Sequence, residues 1–257
     1  VSGPSRKEKV FFLHVPKCGG TSLDGAFRRK FRASQVFRVT GPPSAAAADI
    51  YFEGTDVTRR QYYHVLRFRE ALMLYGLANP KHRYVAGHFA YSPSAHERFG
   101  HEYAFVTLLR DPVRRWVSHY FYNRYKTRNE QHCKVEDDIH DVIDSDRGRA
   151  WGTEYVKYYG GLRESGDYRS AEAVRRAVEN VGRFDVVGTL EDVGAFTTAV
   201  RRVLGMRLFV GRSNKSPAPG ELKRRMLTDE VTSRIREICA PDIEIYESLG
   251  EPRPLHA

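Results

Sequence analysis

Two kinds of apolar run alternate along the chain. Lys9–Val15 (KVFFLHV), Arg83–Ala90 (RYVAGHFA), Tyr103–Leu109 (YAFVTLL) and Phe184–Leu190 (FDVVGTL) are short, mostly apolar and rich in β-branched and aromatic residues, the pattern of parallel strands buried on both faces. The longer segments between them repeat at helical spacing. In Ser22–Phe31, Leu23, Ala26, Phe27 and Phe31 share one face, with Arg28, Arg29, Lys30 and Arg32 largely opposite. Arg60–Leu77 is helical up to Asn79-Pro80, and Ser170–Val181, Glu191–Leu204, about Glu221–Cys239 and Asp242–Leu249 follow the same rule. After the third strand, Asp111 is a suitable N-cap and Pro112 a suitable first helical residue for a helix with Val113, Trp116, Val117 and Tyr120 on its apolar stripe. Gly41–Asp49 (GPPSAAAAD) reads as a loop or linker, as does Ser213–Gly220. Residues 127–150 are polar and charge-rich and read as a surface insertion or lid. The order predicts one α/β domain over residues 1–257, a mostly parallel central sheet flanked by helices.

In such a sheet, ligands bind beyond the carboxyl ends of the strands. Three chemical groups fall there. The first strand runs into Pro16–Ser22 (PKCGGTS), where glycines and a helix N-terminus offer backbone N–H groups to an anion and Lys17, Thr21 and Ser22 add a charge and two hydroxyls. The order departs from the Walker loop, in which lysine directly precedes Ser/Thr, and an ordinary strand–helix turn with an exposed lysine fits the same letters. The third strand delivers Arg110, with Ser118 about two helical turns further on; a plain arginine–carboxylate pair is the alternative there. The second strand ends at His88, which suits a general base near neutral pH or, equally, a ring bonded to a neighbouring carbonyl.

Composition narrows the classes. A 41% hydrophobic, 257-residue chain is globular. The excess of 42 Lys+Arg over 32 Asp+Glu gives +10 and favours anionic partners: phosphorylated cofactors, acidic glycans, nucleic acid or a membrane surface. Three scattered cysteines are no disulfide framework, and His14, Cys18, His132 and Cys133 lack zinc-ligand spacing. Cys18, beside Lys17 and a helix N-terminus, is expected to have a lowered pKa and to be open to oxidation. No apolar run reaches the ~18 residues that a membrane span needs.

PKCGGTS after an apolar strand, with TLLRDPVRRWVSHYF further on, resembles the sulfotransferases that use 3′-phosphoadenosine 5′-phosphosulfate (PAPS), more narrowly the heparan sulfate 2-O-sulfotransferase branch and its bacterial relatives. GHFAY, FDVVGTLED and SNKS extend the resemblance more weakly over most of the chain. It implies a P-loop-like nucleotide-binding fold and transfer of a sulfuryl group to an acceptor hydroxyl, on a carbohydrate or glycosylated small molecule. It also implies Lys17, Cys18, Gly19, Gly20, Thr21 and Ser22 at the phosphosulfate, and Arg110 and Ser118 at the 3′-phosphate. His88 is then the catalytic base, with Lys17 assisting the leaving oxygen, and no metal is used. The family segment carries a second histidine two positions before the base, where this chain has Ala86. Asn214, Lys215 and Ser216 fall in a loop that approaches the nucleotide in the family, and Tyr155, Tyr158 and Tyr159 are candidates to line the acceptor cleft. A P-loop-type small-molecule kinase and a non-catalytic nucleic-acid-binding module remain as alternatives, although the chain lacks the Walker order of the first and an interleaved basic–aromatic motif for the second. The expected compartment is the cytoplasm of a bacterial-type cell, with a Golgi-lumen catalytic domain lacking its anchor as the alternative, since Val1–Ser5 reads as a truncation point.

Overall fold

The computed structural model describes residues 7–52, 57–125, 134–161, 167–211 and 218–250, with 57–62 as backbone alone. Five strands form one sheet: β1 (Lys9–Leu13), β2 (Val36–Val39), β3 (Tyr84–Gly87), β4 (Tyr103–Leu109) and β5 (Val186–Thr189). Their order is β2-β3-β1-β4-β5, and every pairing is parallel. Leu13 pairs with both Gly87 and Thr107, so β1 and β3 end at one level and β4 runs two residues further, to Leu109. Four of the five strands follow the sequence expectation. β2, in the stretch VFRV, was not anticipated, because four residues with a charge in the middle carry little periodic signal.

Thirteen α-helices surround the sheet among the described residues: α1 (Gly20–Arg28), α2 (Gly41–Tyr51), α3 (Val57–Ala78), α4 (Pro93–Phe99), α5 (Pro112–Tyr125), α6 (Ile139–Asp144), α7 (Asp146–Trp151), α8 (Glu154–Tyr159), α9 (Ala171–Val181), α10 (Val193–Leu204), α11 (Gly220–Met226), α12 (Asp229–Ile238) and α13 (Ala240–Glu247). Their starts are set by caps. The side chains of Ser170, Asp192 and Thr228 accept from the backbone N–H groups of Ala173, Ala195 and Val231, and Asp111 Oδ1 accepts from Arg114 N at 2.8 Å as expected. Gly205, at φ +68°, closes α10 in the left-handed conformation. Two readings need correction. Gly41–Asp49 is helical, because Pro42 and Pro43 fall in the first turn, where they are tolerated, and the four alanines after Ser44 favour helix. The segment Glu221–Cys239 is two helices, since Thr228 starts a new one.

Alternate strand residues feed two cores. On one face Val10, Phe12, Ala104, Val106 and Leu108 pack with Leu23, Ala26 and Phe27 of α1 and Phe196 and Val200 of α10. On the other, Phe11, Leu13, Val85 and Phe105 meet Leu66, Met73 and Leu77 of α3, the tyrosines of α8, and Val174 and Ala177 of α9. Each such aromatic or leucine side chain contributes roughly 1.5–3 kcal/mol by burial, which fixes α1 and α8 against the sheet. A third cluster joins Trp116, Tyr120 and Phe121 of α5 to Val135, Ile139, Val142 and Ile143 and to Val231 and Ile235 of α12. The segment read as a surface insertion or lid therefore anchors its 134–150 part by buried apolar side chains; its remainder, 127–133, lies outside the described residues. No helix among the described residues is long and apolar enough to cross a membrane.

Candidate active site

The loop from β1 to α1 is shaped by two left-handed residues, Lys17 at φ +70° and Gly19 at φ +74°. A Cβ on Gly19 would stand 2.6 Å from Leu190 Cδ1, so only glycine fits. α1 starts at Gly20 with no side-chain cap and no acidic residue in its first turn, leaving N–H groups and a positive dipole end for an anion. Lys17 Nζ stands 3.5 Å from the centroid of the Tyr122 ring on α5. Ser118, half-buried, lies one turn before Tyr122 on the same face of that helix.

Arg110 joins this loop. Its Nη1 donates to Lys17 O at 3.2 Å. Its backbone N–H donates to Tyr155 Oη at 2.8 Å, and the Tyr155 hydroxyl donates to Arg110 O. Arg110 Nε is buried and has no hydrogen-bond partner among the described residues, a donor that an anion would satisfy. Tyr155 is held in turn by Asp242 of α13, whose Oδ1 accepts from Tyr155 N at 2.9 Å and Val156 N at 3.2 Å. Asp242 pairs with the fully buried Arg115 at 3.6 Å.

His88 follows β3 directly. Its Nδ1 lies 2.6 Å from His14 O, so Nδ1 carries the proton and Nε2 is the ring's acceptor. The carbonyl bond of the plain structural alternative is thus present, and it selects the tautomer a base needs. Burial pushes the His88 pKa down to about 4, against the opposing effect of that backbone bond. A cleft of about 130 Å³ opens beside it, lined by His14, Thr21, Asp24, Arg38, Thr40 and His88 among others. Asp24 is buried and accepts from Arg38 Nε at 3.1 Å, Arg28 Nε at 3.2 Å and Tyr84 Oη at 3.0 Å. Arg69 of α3 donates to Ser44 Oγ, Gly41 O and His88 O at 2.9, 3.1 and 3.4 Å, tying α2 to the histidine.

Three of the residues around the cleft escaped the sequence reading. His14 was considered only as a metal ligand; the structure sets its ring centroid 4.4 Å from that of His88. Arg38 and Asp24 lie on an unanticipated strand and inside a helix read only for its apolar face. His119, half-buried on α5 and stacked on Trp151 at 4.4 Å, is pushed down to about 3 by burial.

Other expected site residues fall elsewhere. Tyr155, Tyr158 and Tyr159 are 0% exposed. Their rings belong to the core between α8 and the sheet and present no face to an acceptor, a correction that follows from α8 packing with all six residues buried. Cys18 is also corrected: it is fully buried, its Sγ lies 3.4 Å from Tyr155 Oη, and burial raises its thiol to about 11, so it is neither acidic nor open to oxidants. Asn214, Lys215 and Ser216 lie outside the described residues.

The β1–α1 loop, the arginine tied to it and the histidine cleft all lie at the carboxyl edge of β1, β3 and β4. No curated protein matches the chain. A family model described as the sulfotransferase family matches residues 5–143, more than half of the 257 residues and the whole span from β1 through α5 that builds this edge. By that match the chain belongs to the sulfotransferase family.

Proposed function

We propose that this sulfotransferase takes its sulfuryl group from PAPS and delivers it to a hydroxyl of a carbohydrate or glycosylated small molecule, as in the 2-O-sulfotransferase branch. The residues fit the nucleotide. Gly19 and Gly20 leave no room for side chains, the first turn of α1 is uncapped, and Arg110 Nε is an unsatisfied buried donor. Lys17, Cys18, Gly19, Gly20, Thr21 and Ser22 are assigned to the 5′ end, Cys18 through its backbone, and Arg110 and Ser118 to the 3′-phosphate. Asn214, Lys215 and Ser216 are assigned to the nucleotide on resemblance. When bound, the nucleotide supplies an activated sulfuryl group on its 5′-phosphate.

The chain's own residues do the rest. His88 Nε2 accepts the proton of the acceptor hydroxyl, while its Nδ1–H stays on the His14 carbonyl and holds the ring in place. Lys17 leaves the Tyr122 ring to place its ammonium on the oxygen where negative charge develops. The uncapped N–H groups of α1 fix the anion without reorganisation. The cleft offers the acceptor hydroxyl-bearing Thr21 and Thr40 and the neutralised Asp24–Arg38 pair, polar groups of the kind that orient a sugar. The observation that carries the reading is the bond of His88 Nδ1 to His14 O, which leaves Nε2 as the acceptor of a ring that lines the same cleft as Thr21 of the β1–α1 loop.

The test is a thermal shift with adenosine 3′,5′-bisphosphate, ATP–Mg²⁺ and an oligonucleotide. The bisphosphate should raise the melting temperature at concentrations where the other two do not. His88→Ala should retain that shift and lose transfer of labelled sulfate to a glycan panel. No response to millimolar bisphosphate, or undiminished transfer by the variant, refutes the assignment.

A further inference from the structure

Burial removes Tyr155 from the acceptor cleft, yet its hydroxyl is fully used. The oxygen accepts from the Arg110 N–H at 2.8 Å, and its proton goes to the carbonyl of the same residue. Arg110 is thereby held through both of its backbone polar groups just where the chain leaves β4. The hydroxyl also lies 3.4 Å from Cys18 Sγ; with the phenol proton committed to Arg110, the thiol is the donor in that contact. Cys18 is fully buried and stands between the left-handed residues Lys17 and Gly19 of the β1–α1 loop. One buried phenol oxygen therefore ties the loop after β1 to the loop after β4. The bond from Arg110 Nη1 to Lys17 O at 3.2 Å closes the same junction. The tyrosine is itself fixed from behind. Its N–H and that of Val156 donate to Asp242 Oδ1, and its ring belongs to the core that contains Leu13, Val15 and Cys18.

We propose that Tyr155 is a positioning residue that sets the separation between the two ends of the nucleotide site, and with it the preference for a nucleotide phosphorylated at both its 3′ and 5′ positions. This rests on the assignment of the β1–α1 loop to the 5′ end and of Arg110 to the 3′-phosphate. A ligand with a phosphate at each end must bridge the two loops, and the second contact adds its full affinity only where their spacing is already correct. The sheet does not impose that spacing. The last β1–β4 pair is Leu13 with Thr107, and beyond it the ladder no longer holds Lys17 and Cys18 against Arg110. The phenol oxygen does. It takes only the backbone of Arg110 and leaves the side chain's Nε, buried and without a partner among the described residues, for an anion. Fully buried, Tyr155 acts on a bound nucleotide through Arg110 and Cys18 and touches no reacting atom.

The test compares adenosine 3′,5′-bisphosphate with adenosine 5′-monophosphate by titration calorimetry on the whole chain. In the wild type the bisphosphate should bind at least about tenfold more tightly, the scale of a bond to a charged group. Tyr155→Phe keeps the ring and removes the oxygen. The ratio of the two affinities should then fall at least about fivefold, with the monophosphate still bound within about threefold of wild type. Tyr159→Phe is the control for a lost buried hydroxyl: it lies on the same helix, and its bond goes to Thr107 Oγ1 at 2.7 Å, away from both loops. Its ratio should equal that of the wild type, which separates positioning from a general loosening of α8. A ratio within about twofold of wild type in Tyr155→Phe, or one lowered as far in Tyr159→Phe, overturns the inference and leaves the donor site standing. A wild type that does not prefer the bisphosphate overturns the assignment of the two ends itself. If Tyr155→Phe does not fold, Cys18→Ala decides: it removes the loop's own donor to the phenol oxygen and should lower the ratio about threefold, and an unchanged ratio overturns the inference.

Discussion

Acid should destabilise this fold through His88, whose ring is harder to protonate in the folded chain than in the unfolded one. The ring is buried between the His14 carbonyl and the cleft, and its pKa falls from 6.5 to about 4. The unfolded chain binds a proton at this position near pH 6.5, and the folded chain does not until about pH 4. Above the unfolded value neither state is protonated and His88 has no effect. As the pH falls below it, the unfolded state binds more protons and stability declines, reaching its full loss below the folded value. At about pH 5 nearly all unfolded and about a tenth of folded His88 is protonated, which corresponds to a loss of about 2 kcal/mol. His88→Gln keeps an amide donor for the His14 carbonyl and removes the titration. Urea denaturation of both proteins at about pH 7.5 and about pH 5 isolates the effect, with the wild type losing about 2 kcal/mol more than the variant across that interval. His14 and His119 also resist protonation, but both proteins carry them, so their effects cancel to first order. Equal losses within about 0.5 kcal/mol would show that His88 is no harder to protonate in the folded protein than in the unfolded one.

Gly20→Ala places a methyl group 1.9 Å from the His14 ring, and the imidazole must move. The variant should lose roughly 1–3 kcal/mol in urea denaturation, as overpacked sites do, and a variant as stable as wild type with unchanged His14 resonances would contradict the close packing described. Cys18, buried against Tyr155 with its thiol raised to about 11, should resist iodoacetamide in the native protein and react in urea. Labelling of Cys18 by mass spectrometry at the same rate in both conditions would refute its burial.

Local information was sufficient for much of this molecule. The apolar runs Tyr103–Leu109 and Lys9–Leu13 announce buried strands because a parallel strand covered on both faces has no polar positions to vary. The Asp111-Pro112 start of α5 was legible because capping is a contact between near neighbours. The glycines of the first loop likewise marked a tight strand–helix turn from a few adjacent residues, and Gly19 is left-handed there.

What the letters withheld depends on which strand lies beside which. β1 lies between β3 and β4, so His14 meets His88 and Lys17 O meets Arg110 across 74 and 93 positions of chain. No periodicity within a segment encodes such pairings. The same holds for exposure. Cys18 and the α8 tyrosines carry the chemistry of an active site in sequence, and packing of α8 against the sheet turns them into core. Sequence determined that a glycine-containing turn into a helix would follow the first strand. Only the tertiary structure decided that His14 and His88 stand side by side in the cleft next to it, because parallel strands bring distant residues to a common edge.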